Sequence, residues 1–154
     1  MWSIQDNLHI SMEERVPLSI KLITGFSIAG LLFSGYLSAV KFFSGSCAVR
    51  ESCPYFLGWP VCVYGFTMYV ALTVLSVLIL TKRLDSYKGL LGVSVVSFAG
   101  ILFSGYFSAI ELPALMQNGF AAYTFGVPTC MLGLVMYMLV FATAVLGIAH
   151  RERE

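Results

Sequence analysis

Polar residues interrupt this chain at few places, and the apolar intervals between them predict four helices: Val16 to Phe43, Tyr55 to Leu80, Tyr87 to Leu112 and Tyr123 to Ala149. Each exceeds the about 20 residues that cross about 30 Å of hydrocarbon. Asp6, Glu13 and Glu14 precede the first stretch and no small-residue cleavage site follows it, so it reads as an anchor rather than a cleavable signal. Upstream, Trp2, Ile4, Leu8 and Met12 are compatible with either a short interfacial helix or a floppy tail.

Composition turns four apolar stretches into a membrane protein. Charged residues make up 11% of the chain and apolar ones 58%, with mean hydropathy +0.86, against about 25% charged in ordinary soluble domains. Disorder, a coiled coil and a free cytosolic enzyme are excluded. A net charge of +1 leaves no basic surface for nucleic acid. Seven basic residues (Arg15, Lys21, Lys82, Arg83, Lys88, Arg151 and Arg153) fall at the termini and the middle connection, and two, Lys41 and Arg50, fall on the other side. This asymmetry predicts both termini in the cytoplasm. The connections Ser44 to Pro54 and Pro113 to Thr124 then face outward, and all four cysteines share that extracytoplasmic side, where disulfides are permitted. His9 and His150 lie on the opposite side, away from any cysteine.

The chain also repeats itself. SIAGLLFSGYLSAVK from Ser27 matches SFAGILFSGYFSAIE from Ser97 at ten of fifteen positions, and GWPVCVYGFTMY from Gly58 matches GVPTCMLGLVMY from Gly126 at six of twelve. The expected fold is therefore an all-α integral membrane bundle of four transmembrane helices. It forms one domain over 1–154, built from two parallel two-helix repeats at about 16–80 and 87–149 and related by a pseudo-twofold axis along the membrane normal. Gly30, Ser34 and Ser38, with Gly100, Ser104 and Ser108, recur every four residues and mark faces for close helix packing. Lys41 and Glu111 hold equivalent positions of opposite sign, where either pairing across the axis or snorkelling into headgroups is reasonable.

Pro60 and Pro128 suit helix starts, and Cys62 and Cys130 follow within the first turn, where unpaired backbone N–H groups and the helix dipole favour negative charge on sulfur. Seven residues on, Tyr69 and Tyr137 return to nearly the same face, with Gly65 and Gly133 between. Such a face can hold a flat ring, the glycine giving room and the phenol a hydrogen bond. It equally suits plain packing. Cys47 and Cys53 form a C-x5-C pair that can close as a permanent staple or a reversible shuttle.

Four helices, a first outer loop running into helix two as SCAVRESCPYFLGWPVCVYG, and a cysteine at the outer end of helix four together resemble the vitamin K epoxide reductase family. Members are membrane thiol oxidoreductases whose four-helix bundle surrounds a quinone. The resemblance implies that Cys47 and Cys53 act as the shuttle toward an extracytoplasmic thioredoxin-like protein, and that Cys130 matches the second cysteine of the family's CxxC pair. Val127 stands where the first would be, so the repeat nominates Cys62 as its partner. CVY shortly after Pro60 is similar, more faintly, to the bacterial quinone-linked disulfide oxidases.

Three functions are consistent with these features. The first is a quinone-linked thiol/disulfide oxidoreductase with Cys47, Cys53, Cys62 and Cys130 as redox residues and Gly65, Tyr69, Gly133 and Tyr137 at the ring. The second binds or transports a soft metal or small solute through the two helix-start sulfurs and nearby methionines, of which Met136 and Met68 alone are symmetric. The third is a non-catalytic four-helix module stapled by a loop disulfide.

Overall fold

The computed structural model describes residues 18–44, 55–119 and 128–151. Four long helices dominate: α1 (Leu18–Ser44), α2 (Val61–Leu80), α3 (Ser86–Asn118) and α4 (Thr129–Arg151), with a two-stranded hairpin of β1 (Tyr55–Phe56) and β2 (Trp59–Pro60) before α2. All four helices are long and apolar enough to cross a membrane, which makes this a multi-pass membrane protein.

Three helix limits differ from the hydropathy reading. The second helix begins at Val61 rather than Tyr55, because the six preceding residues fold back as the hairpin. Tyr55 pairs with Pro60 and Phe56 with Trp59, around a two-residue turn in which Leu57 (φ 50°) and Gly58 (φ 83°) are both left-handed. That is the turn geometry whose twist suits a tight hairpin. Pro60 holds extended backbone at the N-cap and, lacking an N–H, leaves no orphan donor there. The third helix runs past Leu112 through Pro113 to Asn118 and ends at Gly119, with φ 72°. The fourth begins at Thr129, after Pro128; the part of the expected span from Tyr123 to Val127 lies outside the described residues.

The turn from α2 to α3 is short and tightly determined. Lys82 takes a left-handed conformation (φ 54°), and the Asp85 carboxylate accepts from the Tyr87 N–H at 3.3 Å, capping α3. Gly89 lets α3 approach so closely that a Cβ there would overlap Ile79.

Both α1 and α3 pack along α2 and α4, which places α1 opposite α3 and α2 opposite α4 across the bundle. The core is continuous at the end away from the cysteines, where Ile20, Ile23, Leu72, Ile79, Leu90, Val93, Val140 and Ala144 are all buried. In lipid the hydrophobic effect does little to join helices, so this close packing supplies the cohesion.

Candidate functional site at the cysteine end

Cys62 and Cys130 are each the second residue of their helix, and both thiols are half-buried. Over the first two turns of α2, from Cys62 to Met68, no residue is buried; in α4 the same holds from Thr129 to Met136. On the facing helices, by contrast, Ser34, Leu37 and Ser38 of α1 and Ser104, Phe107 and Ser108 of α3 are buried. Below these stretches, the next buried side chains of α2 and α4 are Tyr69 and Tyr137.

These two tyrosines reach across the bundle and close it. Their rings stack with centroids 4.6 Å apart and planes 12° from parallel. The Tyr69 hydroxyl donates to the Gly133 carbonyl at 3.5 Å and the Tyr137 hydroxyl to the Gly65 carbonyl at 3.2 Å. Each phenol thus bonds to the other repeat's glycine, one turn below a cysteine. Glycine notches in the odd-numbered helices make room: a Cβ on Gly30 would overlap the Tyr69 ring, and one on Gly100 would overlap Tyr137. The small-residue faces of α1 and α3 serve as seats for aromatic rings on α2 and α4.

Gly65, Tyr69, Gly133 and Tyr137, expected to line a flat ring, are therefore brought together. What lies between them is their own pair of rings, with both phenol donors used on backbone carbonyls. Gly65 nonetheless borders open space, since a Cβ there would meet nothing within 4 Å. Cys47, Cys53 and Val127 lie outside the described residues.

The hairpin organises the mouth. Phe56 packs edge-on against Tyr64, Phe103 and Phe107, with centroids 5.5, 5.8 and 6.1 Å away. The Tyr64 hydroxyl donates to the Phe56 carbonyl at 3.0 Å. On the other flank Trp59 meets Phe42 at 6.1 Å, and Lys41 Nζ sits 5.4 Å over the Tyr55 ring. The hairpin consequently spans from the end of α1 to α3 and fixes the entry to α2, and with it Cys62. Hydropathy missed it because its residues are as apolar as a helix; the signals present were Gly58 and Pro60, two residues apart.

Polar groups are buried at this end, as Ser27, Ser76, Ser94 and Ser97 are at the other. Ser34, Ser38, Ser104, Ser108 and Glu111 are all at least nine-tenths buried, and none is more than 9% exposed. A buried carboxylate on a membrane-spanning helix is costly. Among the described residues, no group of three His, Cys, Asp or Glu side chains is placed to hold a metal ion. No family model, curated protein or solved structure matches the chain.

Proposed function

We propose that this protein is a quinone-linked membrane thiol/disulfide oxidoreductase whose redox sulfurs are Cys62 and Cys130, served by the loop pair Cys47 and Cys53. One observation carries the reading. The crossed phenol-to-glycine bonds hold Gly65 and Gly133 at one depth on opposite helices, and the half-buried cysteines stand one turn above on the same faces. These matched bonds support the reading of two hairpins related by a pseudo-twofold axis. The excess of Lys and Arg at the termini and middle turn puts the cysteine end outside the cytoplasm, where thiol chemistry with secreted proteins takes place.

The steps balance at two electrons and two protons each. An external dithiol of thioredoxin-like type reduces a Cys47–Cys53 disulfide and leaves as a disulfide. The resulting loop dithiol reduces a Cys62–Cys130 disulfide by thiolate attack on sulfur. The Cys62 and Cys130 thiols then close again as two electrons and two protons pass to the quinone, which departs as hydroquinone. A lipid-soluble quinone is the electron acceptor suited to a bundle embedded in the bilayer.

Stepwise mass-tagging of thiols in native membranes tests this reading. Oxidised decylubiquinone is expected to protect Cys62 and Cys130 together from alkylation, and a membrane-impermeant maleimide is expected to reach them from the outer side alone. Four thiols whose states never change with quinone would overturn it. A second reading, a non-catalytic module, is favoured by the way both phenols are already used on each other's helices. It predicts that fixed pattern.

A further inference from the structure

From Tyr55 to Pro60 the hairpin carries no charged residue, and Tyr55, Phe56, Leu57 and Trp59 are all exposed. Its turn is the unusual part. Leu57, 82% exposed, takes φ 50° at the first position of a two-residue turn, where asparagine, aspartate or glycine is favoured. Backbone preference argues against leucine there, so its presence is explained by what surrounds the tip. In water the side chain gains nothing to offset the strained turn, whereas among lipid chains its removal from water does so.

Helix α2 fixes the depth at which this happens. Its 20 residues make a rod of about 30 Å, the thickness of the hydrocarbon itself, so its two ends mark the two boundaries. Beyond one end stand Thr81, Lys82 and Arg83, all exposed. At the other end the hairpin joins without a spacer, Pro60 being the N-cap. Helices α1 and α3, with 27 and 33 residues, have length to spare and do not set this level. Nor does the hairpin rise away from the boundary: Phe56 packs on Tyr64, at the end of the first turn of α2, and on Phe103 and Phe107 of α3. Its apolar surface is continuous with the lipid-facing surface of α1 through Phe42, which touches Trp59, and Phe43, 93% exposed. Tyrosine and tryptophan, with an apolar body and one polar group, are the side chains that gather at headgroup level.

We propose that the hairpin is an interfacial anchor, with the Leu57 side chain and the exposed rings of Tyr55 and Trp59 inserted among the glycerol groups and upper acyl chains of the leaflet on the cysteine side. The partner is phospholipid, held by apolar burial and by hydrogen bonds from the indole N–H and the phenol to ester and phosphate oxygens. Cys62, two residues past Pro60, is thereby kept at the edge of the hydrocarbon. The inference rests on the membrane-spanning fold alone and stands whether or not the thiols are redox-active.

Trp59 reports its own depth. The chain has two tryptophans, Trp2 and Trp59, so the full chain carrying Trp2→Phe in phosphatidylcholine nanodiscs has a single indole. Its fluorescence is expected to be quenched about twofold more by lipid brominated near the glycerol end of the acyl chain than by lipid brominated near the methyl end, and only weakly by aqueous iodide. Leu57→Asp, which places a charge at the tip, is expected to raise iodide quenching about twofold; should that variant fail to fold, the Trp2→Phe measurement decides by itself. Strong iodide quenching with little response to either brominated lipid overturns the proposal, because it places the hairpin in water, open to a soluble protein. Stronger quenching from the methyl end overturns it by placing the ring in the hydrocarbon core. Protection from all three quenchers overturns it as well, since Trp59 is then covered by a second copy of the chain.

Discussion

The two halves of the bundle are built on opposite rules. Away from the cysteines, helices interlock through aliphatic side chains such as Ile23, Leu72, Val93 and Val140, each 0% exposed, and a short capped turn joins α2 to α3. Toward the cysteines, Cys62 to Met68 of α2 and Thr129 to Met136 of α4 include no buried residue, and the buried positions lie on α1 and α3, among them Ser38, Phe107, Ser108 and Glu111. One half supplies cohesion by close packing, which is what holds helices together in lipid. The other half gives up close packing along the first turns of α2 and α4. The stacked tyrosines are the boundary.

Attacking that boundary should have the largest effect. Gly100→Leu forces a branched side chain into the Tyr137 ring, and Gly30→Leu does the same to Tyr69; each is expected to lower stability by about 3 kcal/mol, at the upper end for overpacking. Reversible unfolding in mixed micelles would measure it, and a loss below about 1 kcal/mol would mean that the rings move aside freely. Next comes the contrast between halves. Leu72→Ala in the packed half should cost about 2–3 kcal/mol through lost contacts, whereas Leu132→Ala among the half-buried residues of α4 should cost under about 1 kcal/mol. Equal losses would abolish the distinction between the halves. The smallest effect belongs to the phenol hydroxyls. Tyr137→Phe keeps the stack and removes the bond to Gly65, so about 1 kcal/mol is expected. Tyr69→Phe should cost less, its bond to Gly133 being longer.

Hydropathy and the repeat carried the reader a long way into this fold. Four apolar intervals of sufficient length become helices wherever backbone groups have no water to bond, and the Thr81–Asp85 break fell where polar residues cluster. Gly30 and Gly100 were legible as small positions, but their role was not. A glycine notch declares that something approaches, whereas its occupant is set by helix register, which hydropathy does not encode. The tyrosines show the same limit from the other side. Seven-residue spacing from Cys62 and Cys130 placed them on the right face, yet one helix alone cannot reveal that the facing ring is the repeat's own copy. The hairpin escaped because Tyr55, Phe56, Leu57 and Trp59 continue an apolar run, and a leucine in a left-handed turn carries no sequence signal. That the buried hydroxyls of Ser27, Ser38 and Ser108 find no partner is invisible in sequence, where every serine has the same option of bonding backwards.

The hairpin turn at Leu57 and Gly58 has a mechanical consequence. Phe56 clasps α3 while Trp59 clasps α1, and the chain between them is too short to stretch. A displacement of the hairpin is therefore transmitted to both odd-numbered helices at once instead of being absorbed as slack. The mouth responds as a drawstring does, both sides shifting together.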